Sequence, residues 1–252
     1  MTRINNIYFQ NPQLEGASIL YKGSNTGILL IHGFTATTIE VKKLADYFIK
    51  KGFSVSAPLL PGHGTSPKDL NKVKYRDWVE CVDNAYQELK LRCNQIFIGG
   101  ESMGAVLSLY LAERYTNIKA LFLFSTALMV KKLKYAKYIK YFVPFKDKGL
   151  PNDGLPWQGY TVYPMYAAAE LFKLTKLVDK SLYNVFSPTL LFQGKFDRSI
   201  DVNNIEYIYS KISSDVKVKV TLENSGHAIL MDKEFDVIYT NINEFLDHNQ
   251  IL

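Results

Sequence analysis

Short apolar segments alternate with amphipathic segments along most of the chain. Continuous apolar stretches predict buried β-strands over residues 27–31, 53–59, 95–99, 119–125, 189–194 and 216–222. Apolar residues at helical spacing predict helices over residues 39–51, 75–91, 105–115, 202–212 and 234–249. Strands and helices in this order are typical of an α/β fold, in which a mostly parallel sheet carries helices on both faces.

The alternation stops near residue 127 and resumes near residue 186. The intervening residues are rich in tyrosine, and insertions at the carboxyl ends of parallel strands commonly build binding sites. We therefore expect residues 1–127 and 186–252 to form one core. Residues 128–185, the cap segment, are expected to form an inserted cap or lid. Within it we predict that Tyr160 and Tyr163 contact the substrate.

The cap segment opens with a basic, aromatic stretch over residues 131–142. At helical spacing, one face of this stretch is apolar and its lysines fall off that face. The apolar positions are Tyr135, Tyr138, Ile139 and Phe142, and the lysines are Lys134, Lys137 and Lys140. Two interpretations stay open: a lid helix packed on the core, or a surface that makes weak contact with anionic lipid.

Residues 100–104, Gly-Glu-Ser-Met-Gly, lie between a predicted strand and a predicted helix. A serine two residues from a glycine on either side, at such a turn, is the nucleophile elbow of α/β-hydrolases. The pattern alone recurs by chance, but another strand leads directly into residues 32–35, His-Gly-Phe-Thr, here called the oxyanion loop. In this fold the loop supplies one backbone N–H of an oxyanion hole. Ser102 is thus the predicted nucleophile, and the amides of Phe34 and Met103 are the predicted donors.

A serine hydroxyl needs a base, and the base needs an orienting acid. His227 follows the last predicted strand, where this fold delivers its base, whereas His32 belongs to the oxyanion loop. Asp197 follows the predicted strand over residues 189–194, which comes just before the last one, and this gives the chain order Ser, Asp, His. Asp201 is the competing acid, although its position favours capping of the following helix.

Composition and charge indicate which classes of protein the chain can belong to. The 252 residues, 47% of them hydrophobic, favour one globular core. The net charge of +6 is spread along the chain without a nucleic-acid motif, so we expect no nucleic-acid partner. The absence of a long apolar run, of a secretory leader and of paired cysteines predicts a cytoplasmic protein without a membrane span. No residue spacing predicts a metal or a cofactor.

The motifs together resemble the bacterial carboxylesterase and monoacylglycerol lipase family. They comprise residues 27–35, 61–65, 77–79 and 100–104, with Asp197 and residues 224–227 downstream. The resemblance implies an α/β-hydrolase fold and cofactor-free cleavage of carboxylic esters with short to medium acyl chains. Residues 159–164 depart from the family, because they contain no acidic residue where its monoacylglycerol lipases place one near the glycerol.

Several functions remain compatible with the sequence. A monoacylglycerol lipase would use the same residues, and so would a carbon–carbon bond hydrolase. A non-catalytic ligand-binding protein of the same fold is a further alternative. The oligomeric state is open.

Overall fold

The computed structural model describes residues 8–149, 154–201 and 203–251. The strands are β1 (Phe9–Gln10), β2 (Ile19–Tyr21), β3 (Thr26–Ile31), β4 (Ser54–Ala57), β5 (Gln95–Glu101), β6 (Leu121–Phe124), β7 (Phe145–Asp147), β8 (Gly159–Tyr160), β9 (Val162–Pro164), β10 (Thr189–Gly194) and β11 (Lys217–Leu222). The helices are α1 (Ile39–Lys50), α2 (Pro67–Leu70), α3 (Tyr75–Lys90), α4 (Met103–Ala112), α5 (Ala136–Ile139), α6 (Met165–Asp179), α7 (Asn204–Lys211) and α8 (Phe235–His248).

A seven-stranded sheet in the order β11-β10-β6-β5-β3-β4-β2 forms the centre of the molecule. All neighbouring strands are parallel except β2, which pairs antiparallel with β4 at one edge. The predicted mostly parallel sheet is therefore confirmed. The predicted strands and helices of the core agree with the structure to within two or three residues at their ends.

Helices cover both faces of this sheet because its strands are apolar on both sides. In β3, Ile28 and Leu30 face the layer that contains α1 and α8, whereas Leu29 and Ile31 face the layer that contains α3 and α4. Such two-sided burial explains the continuous apolar runs in the sequence. The parallel strands also bring the loops after β3, β5, β10 and β11 to one edge of the sheet, where the predicted site residues lie.

The cap segment differs from the prediction at its start. Residues 131–142 do not form one helix, because a 3₁₀ turn at Leu133–Tyr135 precedes the four-residue α5. Ala136 packs inward against Met165 and Ala168 of α6. Much of the predicted apolar face is consequently unpacked: Tyr138 is 61% exposed and Phe142 is 87% exposed, whereas Ile139 packs partly against this cluster.

The rest of the described cap segment is tied to the core. Strand β8 pairs with β1, and Leu171 and Leu174 of α6 pack into the main core, whereas β7 pairs with β9 within the cap segment. Among the described residues, no helix is both long enough and apolar enough to cross a bilayer.

Candidate active site

Ser102 occupies a strained turn between β5 and α4. Its backbone has φ 57° and ψ −113°, a conformation that costs a non-glycine residue about 1–3 kcal/mol. The turn is so tight that a Cβ on Gly104 would lie 1.9 Å from the Ile31 carbonyl oxygen. A Cβ on Gly100 would lie 2.3 Å from the Gly104 backbone. Both glycines are therefore required by close backbone contact, and the strain presents the Ser102 side chain at the sheet edge.

Ser102, His227 and Asp197 form a continuous hydrogen-bonded chain. His227 Nε2 lies 3.0 Å from Ser102 Oγ, and His227 Nδ1 lies 2.7 Å from Asp197 Oδ2. The Asp197 side chain is only 1% exposed, whereas that of His227 is 30% exposed. The structure thus brings the three predicted catalytic residues together, with the imidazole between the hydroxyl and a buried carboxylate.

The Asp197 carboxylate is held by more than the histidine. Its second oxygen accepts hydrogen bonds from the amides of Ser199 and Ile200, at 2.8 and 3.0 Å. Burial acts to raise the pKa of Asp197, but these hydrogen bonds and the one to His227 outweigh it and hold the pKa below its usual value. Asp201 instead accepts from the Asn203 amide at 3.0 Å. The geometry therefore favours Asp197 over Asp201 as the orienting acid.

The predicted oxyanion donors lie beside the nucleophile. Phe34 belongs to the oxyanion loop, which packs so closely on the elbow that a Cβ on Gly33 would lie 3.2 Å from Ser102 Cβ. Met103 is the first residue of α4. Among the described residues, neither amide donates a hydrogen bond to a protein acceptor. Two free N–H groups beside a serine can stabilise a negative oxygen that forms there.

Two buried carboxyl groups lie behind these loops, and sequence reasoning missed both. Glu40 accepts a hydrogen bond from the Gly33 amide, and burial raises its pKa to about 7. Glu101 accepts from the Leu230 amide at 3.1 Å, three residues after His227. Burial, followed by the proximity of Glu40, raises the pKa of Glu101. One carboxyl thus supports the oxyanion loop and the other supports the loop that carries the histidine.

His32 and His63 take no part in the hydrogen-bonded chain. His32 Nε2 accepts from the Leu60 amide at 3.0 Å, and burial lowers its pKa to about 4. A neutral imidazole here braces the oxyanion loop against the loop that follows β4. His63 packs edge-on against His32 at a centroid distance of 5.0 Å, and burial lowers its pKa as well.

The two predicted substrate-contact tyrosines differ in their surroundings. Tyr160 is fully buried, and its hydroxyl donates to the Gly62 carbonyl at 2.7 Å and accepts from the Thr65 amide at 2.9 Å. These contacts favour a bracing role over substrate contact. Tyr163 is half-buried, and its ring lies 5.4 Å from the ammonium of Lys148, a residue that the sequence analysis did not single out.

Comparisons with known proteins show the family and the fold of the chain. A family model described as "Serine aminopeptidase, S33" matches residues 24–163. A thermostable monoacylglycerol lipase of Bacillus sp. (strain H-257) is 31% identical over 241 residues, which cover 94% of this chain and 96% of the relative. A carboxylesterase of Bacillus subtilis (strain 168) is 30% identical over 237 residues, which cover 90% and 94%.

A solved structure from a study of two metagenome-derived lipolytic enzymes superposes with a TM-score of 0.87 at 26% identity, covering 92% of this chain and 98% of that one. The predicted α/β-hydrolase fold and the predicted resemblance to bacterial carboxylesterases and monoacylglycerol lipases are confirmed.

Proposed function

The chain belongs to the hydrolase family described as serine aminopeptidase, S33, and we propose that it is a carboxylic ester hydrolase for short to medium acyl chains. The observation that carries this proposal is the hydrogen-bonded chain from Ser102 through His227 to Asp197, with distances of 3.0 and 2.7 Å. Ester hydrolysis is also what the two Bacillus relatives are named for.

In the proposed acylation step, the Ser102 hydroxyl attacks the ester carbonyl carbon while His227 Nε2 accepts its proton. The carbonyl oxygen becomes negative and accepts hydrogen bonds from the amides of Phe34 and Met103. His227 then gives its proton to the alcohol oxygen, the ester C–O bond breaks, and the acyl group remains on Ser102. Asp197 keeps the imidazole in the required tautomer and stabilises its charged form.

In the proposed deacylation step, water replaces the alcohol. His227 accepts a proton from the water, whose oxygen attacks the acyl carbon, and the second tetrahedral oxyanion uses the same two amides. Return of the proton to Ser102 releases the carboxylic acid. The cycle needs no cofactor, because each proton moves between these side chains, substrate and water.

The closest alternative within ester chemistry is a monoacylglycerol lipase, the activity for which one Bacillus relative is named. The family description names an aminopeptidase, which must bind the free ammonium of its substrate. Here the ammonium of Lys148 lies 2.7 Å from the hydroxyl of Thr35, next to the oxyanion donor Phe34. A like charge at that position disfavours a free amino terminus and leaves esters as the better-supported substrates.

Hydrolysis of p-nitrophenyl esters of increasing acyl length, with monoacylglycerols in parallel, tests the proposal. We expect an optimum at short or medium chains, and a loss of about 10⁴-fold or more in Ser102→Ala. Ser210→Ala, at an exposed serine of α7, is the matched control and should retain full activity. Faster turnover of glycerides than of aryl esters would identify a lipase. A fully active Ser102→Ala would contradict the mechanism, and a folded wild type inert on every ester would favour carbon–carbon hydrolysis or a ligand-binding role.

We also propose that the protein works in the cytoplasm. Its two cysteines, Cys81 and Cys93, are both free thiols, and a reducing compartment keeps thiols in this state. Titration of thiols in protein purified under nonreducing conditions should find both, whereas a disulfide would contradict the proposal.

A further proposal concerns anionic lipid. The exposed aromatic residues of the cap segment lie beside lysines whose ammonium groups are 4.6–5.2 Å from neighbouring tyrosine rings, as in the pairs Lys134–Tyr135, Lys137–Tyr138 and Lys140–Tyr141. An exposed apolar surface with positive charges is complementary to an anionic membrane surface.

Sedimentation with phosphatidylcholine vesicles, with and without phosphatidylglycerol, tests this contact. Replacing Lys134, Lys137 and Lys140 by glutamine should weaken binding to the anionic vesicles roughly 10²-fold, at about 1 kcal/mol per lysine. The same change at the exposed Lys50, Lys90 and Lys233 is the charge-matched control. If both triple variants lose the same amount of vesicle binding, net charge alone explains the binding, which would contradict a specific lipid-contact surface.

A further inference from the structure

Lys148 reaches from the cap segment to the oxyanion loop. It follows β7 directly, and its amide donates to the Thr161 carbonyl at 3.0 Å, which fixes its backbone. Its Nζ donates to Thr35 Oγ1 at 2.7 Å and lies 3.5 Å from the Tyr160 carbonyl oxygen. Because Thr35 follows Phe34, the ammonium is held beside the proposed oxyanion hole.

Two aromatic rings lie beside the ammonium. Nζ lies 4.1 Å from the centre of the Trp157 ring and 5.4 Å from that of Tyr163. Lys148 and Tyr163 are half-buried and Trp157 is buried, so this cation is partly shielded from water. Burial accordingly lowers the pKa of Lys148 to about 7, although Glu40 opposes this effect.

The ammonium has no carboxylate partner within the described part of the chain. No carboxylate oxygen there lies within 4.0 Å of Lys148 Nζ, and the nearby Glu40 uses its carboxylate to accept from the Gly33 amide. A half-buried cation has lost part of its hydration, and a negatively charged partner would compensate for that loss. An ammonium also carries three donors, of which the Thr35 hydroxyl takes one at short distance.

We propose, on the basis of the ester hydrolase activity proposed above, that Lys148 forms a subsite for a negatively charged group of the substrate. The substrate class is an ester that also carries a free carboxylate. This carboxylate would form an ion pair with Lys148 beside the oxyanion loop and accept a hydrogen bond from its ammonium group. The carboxylate can belong to the acyl part or to the alcohol part of the ester, and the two sources are separated by experiment.

Two pairs of esters test the subsite. Mono-p-nitrophenyl glutarate against p-nitrophenyl pentanoate places the charge in the acyl part. The pair p-butyryloxybenzoate and p-butyryloxybenzamide places it in the leaving group. We measure preference as the ratio of the two kcat/KM values and expect the wild type to prefer the anionic member of one pair. Lys148→Met should lower that ratio by about 10- to 100-fold, mainly through KM. Lys148→Arg should restore part of it.

Lys146→Met is the matched control, since Lys146 lies on β7 two residues away and is exposed. It should leave both ratios unchanged. If Lys148→Met lowers kcat/KM equally for both members of each pair, Lys148 only positions the oxyanion loop. That result would overturn the subsite but leave the proposed ester hydrolase activity unaffected. A wild type that hydrolyses none of the four esters would overturn the proposed function and the subsite together.

Inhibition of the unmodified protein provides a second test that does not depend on the folding of a variant. Glutarate should compete with p-nitrophenyl butyrate at least about 10-fold better than the uncharged glutaramide, if one charge-assisted hydrogen bond separates them. Equal inhibition by the two, together with unchanged ester ratios, would overturn the subsite.

Discussion

The elbow around Ser102 and the exposed start of the cap segment differ in what determines their residues. At the elbow, backbone atoms approach to about the limit of contact, and a Cβ on Gly104 would lie 1.9 Å from a carbonyl oxygen. In the cap segment, Phe142 is 87% exposed and contacts little that would fix its identity. A sequence therefore reveals a site where steric contacts allow few residue types, and it reveals little where side chains face water.

The acid of the proposed triad offers the largest expected effect. Asp197→Asn should lower kcat by about 10³- to 10⁴-fold, because the amide favours the wrong imidazole tautomer and cannot stabilise the charged form. Asp201→Asn is the matched control, four residues away, and should keep kcat within a few-fold. The measurement is steady-state hydrolysis of a p-nitrophenyl ester by both variants. Equal losses would contradict the assignment of Asp197.

Gly104→Ala tests the steric claim about the elbow. The added methyl group collides with the Ile31 carbonyl, which belongs to the central sheet and cannot move freely, so the free energy of unfolding should fall by about 3 kcal/mol or more. Gly226→Ala is the control, because no atom lies within 4 Å of a Cβ built there. Urea unfolding measures both. A Gly104→Ala protein as stable as wild type would show that the elbow is less constrained than its geometry indicates.

The buried Glu40 predicts a pH dependence of stability. Its pKa is raised from 4.5 to about 7 on folding, so between these values the folded state holds a proton that the unfolded state has released. The contribution of Glu40 to the free energy of unfolding should therefore fall as pH rises through this window, by up to about 3 kcal/mol, while the lowered pKa values of His32, His63 and Lys148 act in the opposite direction. Compared with wild type, the stability of Glu40→Gln should therefore become more favourable by up to about 3 kcal/mol between about pH 5 and about pH 8, whereas Glu80→Gln, at an exposed glutamate, should follow the wild-type pH dependence.

Denaturant unfolding at about pH 5 and about pH 8 measures the difference. If the stability of Glu40→Gln changes with pH as that of wild type does, Glu40 does not contribute to the dependence, and the buried Glu101 is the first other group to examine.

Phe142→Ser should have the smallest effect. Since its ring is already in water, the free energy of unfolding should change by less than about 0.5 kcal/mol, and turnover of a soluble ester should stay at the wild-type value. Leu91→Ser, at a side chain that is also 87% exposed, is the matched control. A large stability loss in Phe142→Ser alone would show that the residue packs against a partner or another part of the cap segment in solution.

These differences explain how far the sequence could be interpreted. The core strands and helices are predictable because two-sided burial makes strands continuously apolar and helices periodic, and the structure agrees with them closely. Ser102, Asp197 and His227 are predictable as neighbours because each follows a parallel strand that ends at the same sheet edge. Their catalytic roles remain part of the proposed function.

Other features depend on contacts that no local pattern encodes. Lys148 and Thr35 are 113 positions apart, and nothing near either residue indicates their hydrogen bond. Glu101 did carry a signal, since a charged residue at the end of an apolar strand requires a partner, here the Leu230 amide. Residues 131–142 do not form the single packed helix of one of the two open interpretations, because the small Ala136 takes the inward position and leaves Tyr138 in water.

Reaction with a fluorophosphonate, followed by intact-protein and peptide mass spectrometry, directly tests whether Ser102 is the activated nucleophile. Only a serine activated by a base reacts readily with such a probe. We expect one adduct per chain, located on Ser102, which disappears in Ser102→Ala and forms far more slowly in His227→Ala. A wild-type protein that hydrolyses esters while Ser102 stays unmodified, or one labelled at a different serine, would contradict the assignment of Ser102 as the nucleophile.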